Sequence, residues 1–146
     1  MTVHKRFAVK RNRVEESVLQ GLEITIVEKP EDGGVPVVHL KGEIDLHTCP
    51  ELRTALGGLM DRGYYRLVLD LAQVPYLDSA ALGVLVDAVR RARENSGGIY
   101  LVQVATFVQR AFEITRLIKI FELHTGIAEA QAAAKQAQSA PAETTV

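Results

Sequence analysis

The chain has 146 residues, a length typical of one compact domain. Apolar residues make up 47% and charged residues 24%, with a formal net charge of -1, an ordinary globular balance that gives no reason to expect binding to nucleic acid or to an anionic membrane surface. The single cysteine, Cys49, excludes an internal disulfide and a cysteine-based metal site, and favours a reducing compartment.

The first twenty residues differ from the rest because they are basic. Five lysines and arginines against two glutamates give this stretch a net charge of +3, against -4 for the remainder. Residues 1–20 are predicted to be either a flexible or cloning-related extension, or an arm that docks on an acidic partner or nucleic acid. No apolar run is long enough for a signal-peptide core here or for a membrane span elsewhere, so we expect a cytoplasmic protein.

Period-two alternation predicts a β-hairpin at the start of the domain. Apolar and polar residues alternate over 22–28, acidic and glycine residues supply a turn at 31–34, and residues 37–40 form a second short apolar run. Residues 42–45 continue as a short extended piece.

The pattern then changes to helical spacing. A helix is predicted over residues 49–60, where apolar residues recur at helical intervals and Thr48 and Glu51 stand at capping-box spacing. Residues 65–71 alternate as a strand, and a loop follows over 72–77.

The second half of the chain repeats this alternation. The predicted elements are an amphipathic helix that ends before Asn95, a strand over 99–104, a helix from Thr106 with a second capping box, a short strand over 120–123 and an alanine-rich helix over 127–138. Strands that alternate with helices require right-handed crossovers onto a common sheet, and the early hairpin adds antiparallel pairing. The predicted fold class is therefore α/β, a single domain over 21–135 with a mixed sheet, about four helices and a flexible tail at 136–146.

The segment most suited to chemistry runs from a loop after a strand into the second helix, over residues 76–85. Free backbone N–H groups and the positive end of the helix dipole gather there, so a phosphate on Ser79 could be held by short polar contacts. Asp78 and Ser79 are also good N-caps, and from the local sequence a plain capping role accounts for either residue.

Three segments carry a family resemblance. Residues 42–45, Gly-Glu-Ile-Asp, and residues 48–53 resemble the Gly-Glu-hydrophobic-Asp segment and first helix of the STAS domain in bacterial anti-sigma-factor antagonists. Residues 77–85 resemble that family's Asp-Ser-Ser-Gly-Leu-Gly signature, or its Asp-Ser-Thr-Gly-Leu-Gly variant. Residues 112–121 are similar to its third helix and exit. The resemblance extends over roughly residues 21 to 135, in the family's order and spacings.

The resemblance implies a partner-switching protein that has no catalytic residues and needs no cofactor or metal. In this family the unmodified antagonist binds an ATP-dependent anti-sigma factor that is also a serine kinase, and so frees a sigma factor for transcription. The kinase phosphorylates the serine after the signature aspartate, which is Ser79 here, and a phosphatase resets the switch. On this interpretation Asp45, Asp78, Ser79, Ala80 and Ala81 face the partner, with no direct contact to nucleic acid or membrane.

Two residues depart from the family pattern. Ala80 stands in place of the second hydroxyl residue and Ala81 in place of the glycine, so we expect partner approach to be altered there. They leave open a second interpretation, a STAS scaffold or accessory subunit of a stressosome-like assembly or a lipid-transport ATPase, in which Ser79 is not modified. Asp45 matches the family's acidic position and equally fits a solvated turn aspartate.

A hydrolase that uses Ser79 is a third and more remote alternative. The segment lacks the Gly-x-Ser-x-Gly elbow, and the candidate bases His39, His47 and His124 have neither triad nor metal-site spacing. The chain also lacks a phosphate-binding loop, so the ATP chemistry would belong to the partner.

Overall fold

The structure is a computed structural model that describes residues 14–19, 21–28, 35–116 and 119–139. In chain order its elements are β1 (Val14–Leu19), β2 (Leu22–Val27), β3 (Val37–Lys41), α1 (Cys49–Asp61), β4 (Arg66–Gln73), α2 (Ser79–Glu94), β5 (Gly98–Val102), α3 (Thr106–Ile114), β6 (Glu122–His124) and α4 (Ile127–Ser139).

Within the described residues the strands form one mixed sheet whose spatial order follows the chain, from β1 to β6. The pairs β1–β2 and β2–β3 are antiparallel, and the strands from β3 to β6 run parallel. Parallel neighbours need crossover connections, which α1, α2 and α3 supply. The predicted α/β class, with a mixed sheet opened by a hairpin, is confirmed.

The two faces of the sheet are covered by different helices. Successive right-handed crossovers in one direction place α1, α2 and α3 on the same face, where alternate residues of β4 such as Leu67 and Leu69 enter the larger core. On the other face Ala130 and Ala134 of α4 pack over Val68 and the neighbouring part of β5. Burial on both faces explains why β5, Gly-Ile-Tyr-Leu-Val, contains no charged residue.

The strand β1 was not predicted, because it lies inside the basic segment that the sequence assigned to an extension. It pairs along its whole length with β2, from Val14 opposite Val27 to Leu19 opposite Leu22. Only two residues separate the paired ends, and Gly21 has a φ of +93°, as tight hairpins require. Residues 1–13 and 140–146 lie outside the described residues, so the domain boundaries stay predictions.

Neither predicted capping box forms. Thr48 precedes α1 in a helical rather than extended conformation, and its hydroxyl accepts the Asp45 N–H at 2.9 Å and donates to the Glu43 carbonyl at 3.0 Å. The third helix begins at Thr106 itself, so the residue before the helix is Ala105, which has no capping side chain. The Thr48 hydroxyl therefore stabilises the loop before α1 instead of the first turn of that helix.

Gly42 fixes the direction in which the chain leaves β3. Its φ is +119°, and a Cβ added there would collide with the carbonyl oxygen of Gly21. Its N–H donates to the Gln73 carbonyl at 2.9 Å, at the end of β4. Only glycine satisfies the backbone angle and the close approach together.

Gly42→Ala is expected to lower the free energy of unfolding by at least about 1–3 kcal/mol, the usual strain of a side chain held at positive φ. Urea denaturation measures the change. Gly58→Ala is the matched control, because Gly58 is exposed in the middle of α1 and an added Cβ would meet nothing within 4 Å. That control should gain about 0.5–1 kcal/mol from helix propensity. Equal stability of Gly42→Ala and the wild-type chain would contradict this role of Gly42.

Candidate functional site

The candidate site lies at the edge of the sheet where the parallel strands end. The segment after β3 and the segment after β4 run side by side, because Ile44 and Leu77 form a parallel bridge. The Ile44 N–H donates to the Tyr76 carbonyl and the Asp78 N–H donates to the Ile44 carbonyl, both at 3.1 Å. Backbone hydrogen bonds therefore join the two segments that hold the predicted site residues.

Asp78 is the N-cap of α2 and also holds the neighbouring loop. Its Oδ1 accepts the Ala81 N–H at 2.9 Å, and its Oδ2 accepts the Leu46 N–H at 3.0 Å. Its backbone is extended, with φ -101° and ψ -174°, as an N-cap requires. The capping interpretation of Asp78 is confirmed, and one carboxylate fixes both the start of the helix and the loop beside it.

Ser79 is the first residue of α2 and its side chain is exposed. It is not the N-cap, since Asp78 occupies that position. Among the residues that the structure describes, the Ser79 hydroxyl has no hydrogen-bond partner. The N-terminus of a helix favours negative charge by about 0.3–1 kcal/mol, so this position can carry a phosphate without opposing the fold.

Asp45 is half-buried and closes a tight turn before α1. Its Oδ1 accepts the His47 N–H at 2.9 Å and the Thr48 N–H at 3.0 Å, with the Thr48 hydroxyl at 3.3 Å. The bond from the Thr48 backbone is the main reason that the pKa of Asp45 lies below its ordinary value, against the opposing effect of desolvation. The carboxylate is therefore ionised at neutral pH, and these contacts support the turn-aspartate interpretation.

Ala80 and Ala81 differ in their surroundings. Ala80 is half-buried and packs against the larger core, whereas Ala81 is fully buried within it. The methyl group of Ala81 therefore faces the core, and its predicted place among the partner-facing residues is not supported by this geometry. Of the two departures from the family pattern, only Ala80 leaves any side-chain surface for a partner.

Sequence reasoning missed three exposed apolar residues at the same edge. Leu46, Tyr76 and Phe107, here called the apolar patch, have 66%, 39% and 59% of their surface exposed. Phe107 belongs to the apolar residues of α3, yet the buried residues of that helix are Val108 and Phe112. The available indication was that α3 carries more apolar residues than one buried face can accommodate.

The three candidate bases have other surroundings than the Ser79 hydroxyl. His39 pairs with Asp70 at 2.7 Å, His124 with Glu122 at 3.2 Å, and His47 is exposed beside the Asp45 turn. In the described part of the chain, none of them bonds to Ser79.

Over the described residues, no group of three or more His, Cys, Asp or Glu side chains could hold a metal ion. None of the helices in the same part of the chain combines the length and the apolarity that a membrane crossing demands.

The family of the chain follows from comparison with known proteins. The STAS domain family matches residues 27–130, more than half of the chain. The chain belongs to the STAS domain family. The matched residues include Asp78 and Ser79 and do not include β1.

Several proteins similar to this STAS chain are named anti-sigma-factor antagonists. The anti-sigma-B factor antagonist of Staphylococcus epidermidis is 32% identical over 89 residues, which cover 61% of this chain and 82% of that protein. An anti-sigma factor antagonist structure from Mycobacterium paratuberculosis has a TM-score of 0.66 at 31% identity, over 77% of this chain and 94% of that one. Bacillus SpoIIAA, solved in its phosphorylated form, shares the fold at 15% identity and a TM-score of 0.56, over 83% of this chain and 99% of that one. The predicted resemblance is confirmed.

Asp78→Ala should lower the free energy of unfolding by about 1–2 kcal/mol through loss of the N-cap, with a further small cost from the lost hydrogen bond to the exposed Leu46 N–H. Chemical denaturation gives the value, and amide NMR shifts should move in the loop before α1 as well as in α2. The control is Asp87→Ala, which removes an exposed carboxylate paired with Arg90 and should change stability by less than about 0.5 kcal/mol. If both variants change stability equally, Asp78 does not hold the two segments together.

Proposed function

We propose that this STAS protein is a cytoplasmic anti-sigma-factor antagonist that is switched by phosphorylation of Ser79. The unphosphorylated form binds an anti-sigma factor with serine-kinase activity and frees a sigma factor. Phosphorylation of Ser79 by that kinase releases the complex, and a phosphatase restores the binding form. The observation that carries the proposal is the exposed Ser79 hydroxyl at the start of α2, which has no hydrogen-bond partner among the described residues and lies beside a loop that Asp78 holds in place.

The charges around Ser79 explain why a phosphate would disrupt a complex but not the fold. Phosphorylation adds a charge of roughly -1.5 to -2. Residues 43–47 and 76–80 contain Glu43, Asp45 and Asp78 and no lysine or arginine. In the free chain the phosphate faces water at a favourable helix end. A partner that covers Ser79 would bury the phosphate with no cation from these two segments.

The energetic scale is sufficient for a switch. Burying an uncompensated charge costs several kcal/mol, and about 3 kcal/mol corresponds to more than a hundredfold in affinity. Because Ser79 is already exposed and Asp78 already caps the helix, neither the modification nor the release requires a change in the core.

The relatives support this role. The Staphylococcus relative is an anti-sigma-B factor antagonist, and SpoIIAA, which shares the fold, has been solved in unphosphorylated and phosphorylated forms. The chain is proposed to have no catalytic activity of its own.

The first test is to incubate the chain with each purified ATP-binding anti-sigma factor of its host and ATP, and to map the product by mass spectrometry. We expect one phosphate, on Ser79, and none on Ser79→Ala. The same Ser79→Ala variant should still bind the anti-sigma factor, because only the hydroxyl is removed. A phosphate on another residue would contradict the proposal. A chain that is never modified and is recovered instead with a transporter ATPase or in a large homomeric particle would favour the scaffold interpretation.

Ser79→Asp tests the charge effect directly, and calorimetry should show an affinity for the anti-sigma factor lowered by more than about a hundredfold. The matched control is Ser96→Asp, which adds the same charge at an exposed position beyond the other end of α2. Ser96 has a φ of +62°, a conformation that Asp tolerates, so the control should fold and bind normally. A complex indifferent to Ser79→Asp would count against the switch.

Gly83 provides an independent test of close partner approach. It lies four residues after Ser79 on the same exposed face of α2, and an added Cβ would contact nothing within 4 Å. Gly83→Ala should therefore stabilise the free chain by about 0.5–1 kcal/mol but weaken anti-sigma binding about tenfold, because the methyl group would overpack the interface. Gly58→Ala should bring the same gain in stability with unchanged affinity. Unchanged affinity of Gly83→Ala would remove this face from the interface.

A further inference from the structure

Three of the four large apolar side chains that are exposed in the described residues gather at the edge that holds Ser79. The apolar patch takes one residue from each of three successive connections: Leu46 after β3, Tyr76 after β4 and Phe107 after β5. The fourth is Ile114, 81% exposed and two helical turns from Phe107. Single exposed apolar residues are ordinary, but a cluster drawn from separate segments is typical of an interaction site.

The patch and the phosphorylation position are parts of one surface. The backbone N–H of Leu46 donates to Asp78, the residue before Ser79. Tyr76 lies three residues before Ser79, and its carbonyl accepts the Ile44 N–H. The rings of Tyr76 and Phe107 contact each other, with centroids 6.1 Å apart at an angle of 31°. The hydrogen bonds that position Ser79 therefore also position Leu46 and Tyr76, and the ring contact joins Phe107 to Tyr76.

Resting on the function proposed above, we propose that the apolar patch is the anchor of the anti-sigma interface. An apolar surface of the anti-sigma factor covers Leu46, Tyr76 and Phe107, and Ser79 lies at the margin of that contact. Exposed aromatic side chains supply large contact areas at small entropic cost, and residues of this type dominate the energies of many protein interfaces.

The composition of the edge supports an apolar rather than an ionic contact. Residues 43–47, 76–80 and 103–109 contain no lysine or arginine, and the third of these segments has no charged residue at all. The anchor also explains the strength of the switch, because a phosphate at the margin of an apolar contact loses water without gaining a cation.

Tyr76→Ser and Phe107→Ser test the anchor against the anti-sigma factor that binds the wild-type chain in the phosphorylation experiment. Each should weaken binding by at least about tenfold. The double variant should lose less than the product of the two single losses, because the rings are in contact. Affinity of the wild-type chain should change by less than about threefold between about 50 and 500 mM salt, since apolar contacts are not screened. Circular dichroism of the exposed-site variants checks that they fold.

Ile114→Ser is the matched control, since it removes an equally apolar and more exposed side chain about 10 Å from Phe107 along the helix. Its affinity should stay within about twofold of the wild-type value. An equal loss in Ile114→Ser would overturn the anchor, as would patch variants that bind normally while Ser79→Asp still releases the partner. In both cases the proposed function would stand. If no anti-sigma factor binds the wild-type chain, the function and the anchor fall together.

Discussion

The two hydrogen bonds of the Asp78 carboxylate determine the geometry of the candidate site. They connect the first turn of α2 to a loop 32 residues earlier in the sequence, at 2.9 and 3.0 Å. The first turn of a helix needs acceptors for its free backbone N–H groups, and the backbone N–H groups of a loop need acceptors as well. One side chain meets both needs, so the exposure of Ser79 and the position of Leu46 depend on the same group.

The residues at the start of α2 differ in how far they are exposed. Asp78 caps the helix, Ser79 points to solvent, Ala80 is half-buried and Ala81 is in the core. Ser79, which can be modified, and Ala81, which must stay packed, are only two residues apart, and the helix period directs them to different sides. Chemistry at Ser79 can change the surface while the core beneath it keeps its contacts.

Most elements could be predicted from the sequence because their periodicity is strong. The predicted helix over 49–60 corresponds to α1, Cys49–Asp61, and the capped start of α2 was recognised from its residue types. Ends were harder to place: the strand predicted to reach Val104 stops at Val102, because Gln103 has a φ of +57°. The first capping box failed because the Thr48 hydroxyl bonds to the loop before the helix, and the second because α3 begins one residue earlier than its predicted cap allows.

The candidate site was predictable only where local residue types determine the structure. Local chemistry predicts that Asp78 and Ser79 lie at a helix start, and in the structure Asp78 is the N-cap and Ser79 the first residue of α2. The burial of Ala81 and the exposure of Phe107 depend on which side of each helix meets the sheet, a tertiary property. Strand β1 was missed because residues 1–20 were judged by their basic charge, which says little about strand pairing, and not by the tight turn at Gly21.

The strand order follows the chain order, and this bears on how the molecule assembles. Because neighbours in the sheet are also neighbours in the chain, each parallel strand can pair with the strand before it once the crossover helix between them is complete. The stretch from β3 to α2 holds both hydrogen-bonded segments of the edge. The presentation of Ser79 therefore depends on contacts within residues 37–94, whereas the ring contact of Tyr76 also needs Phe107 of α3.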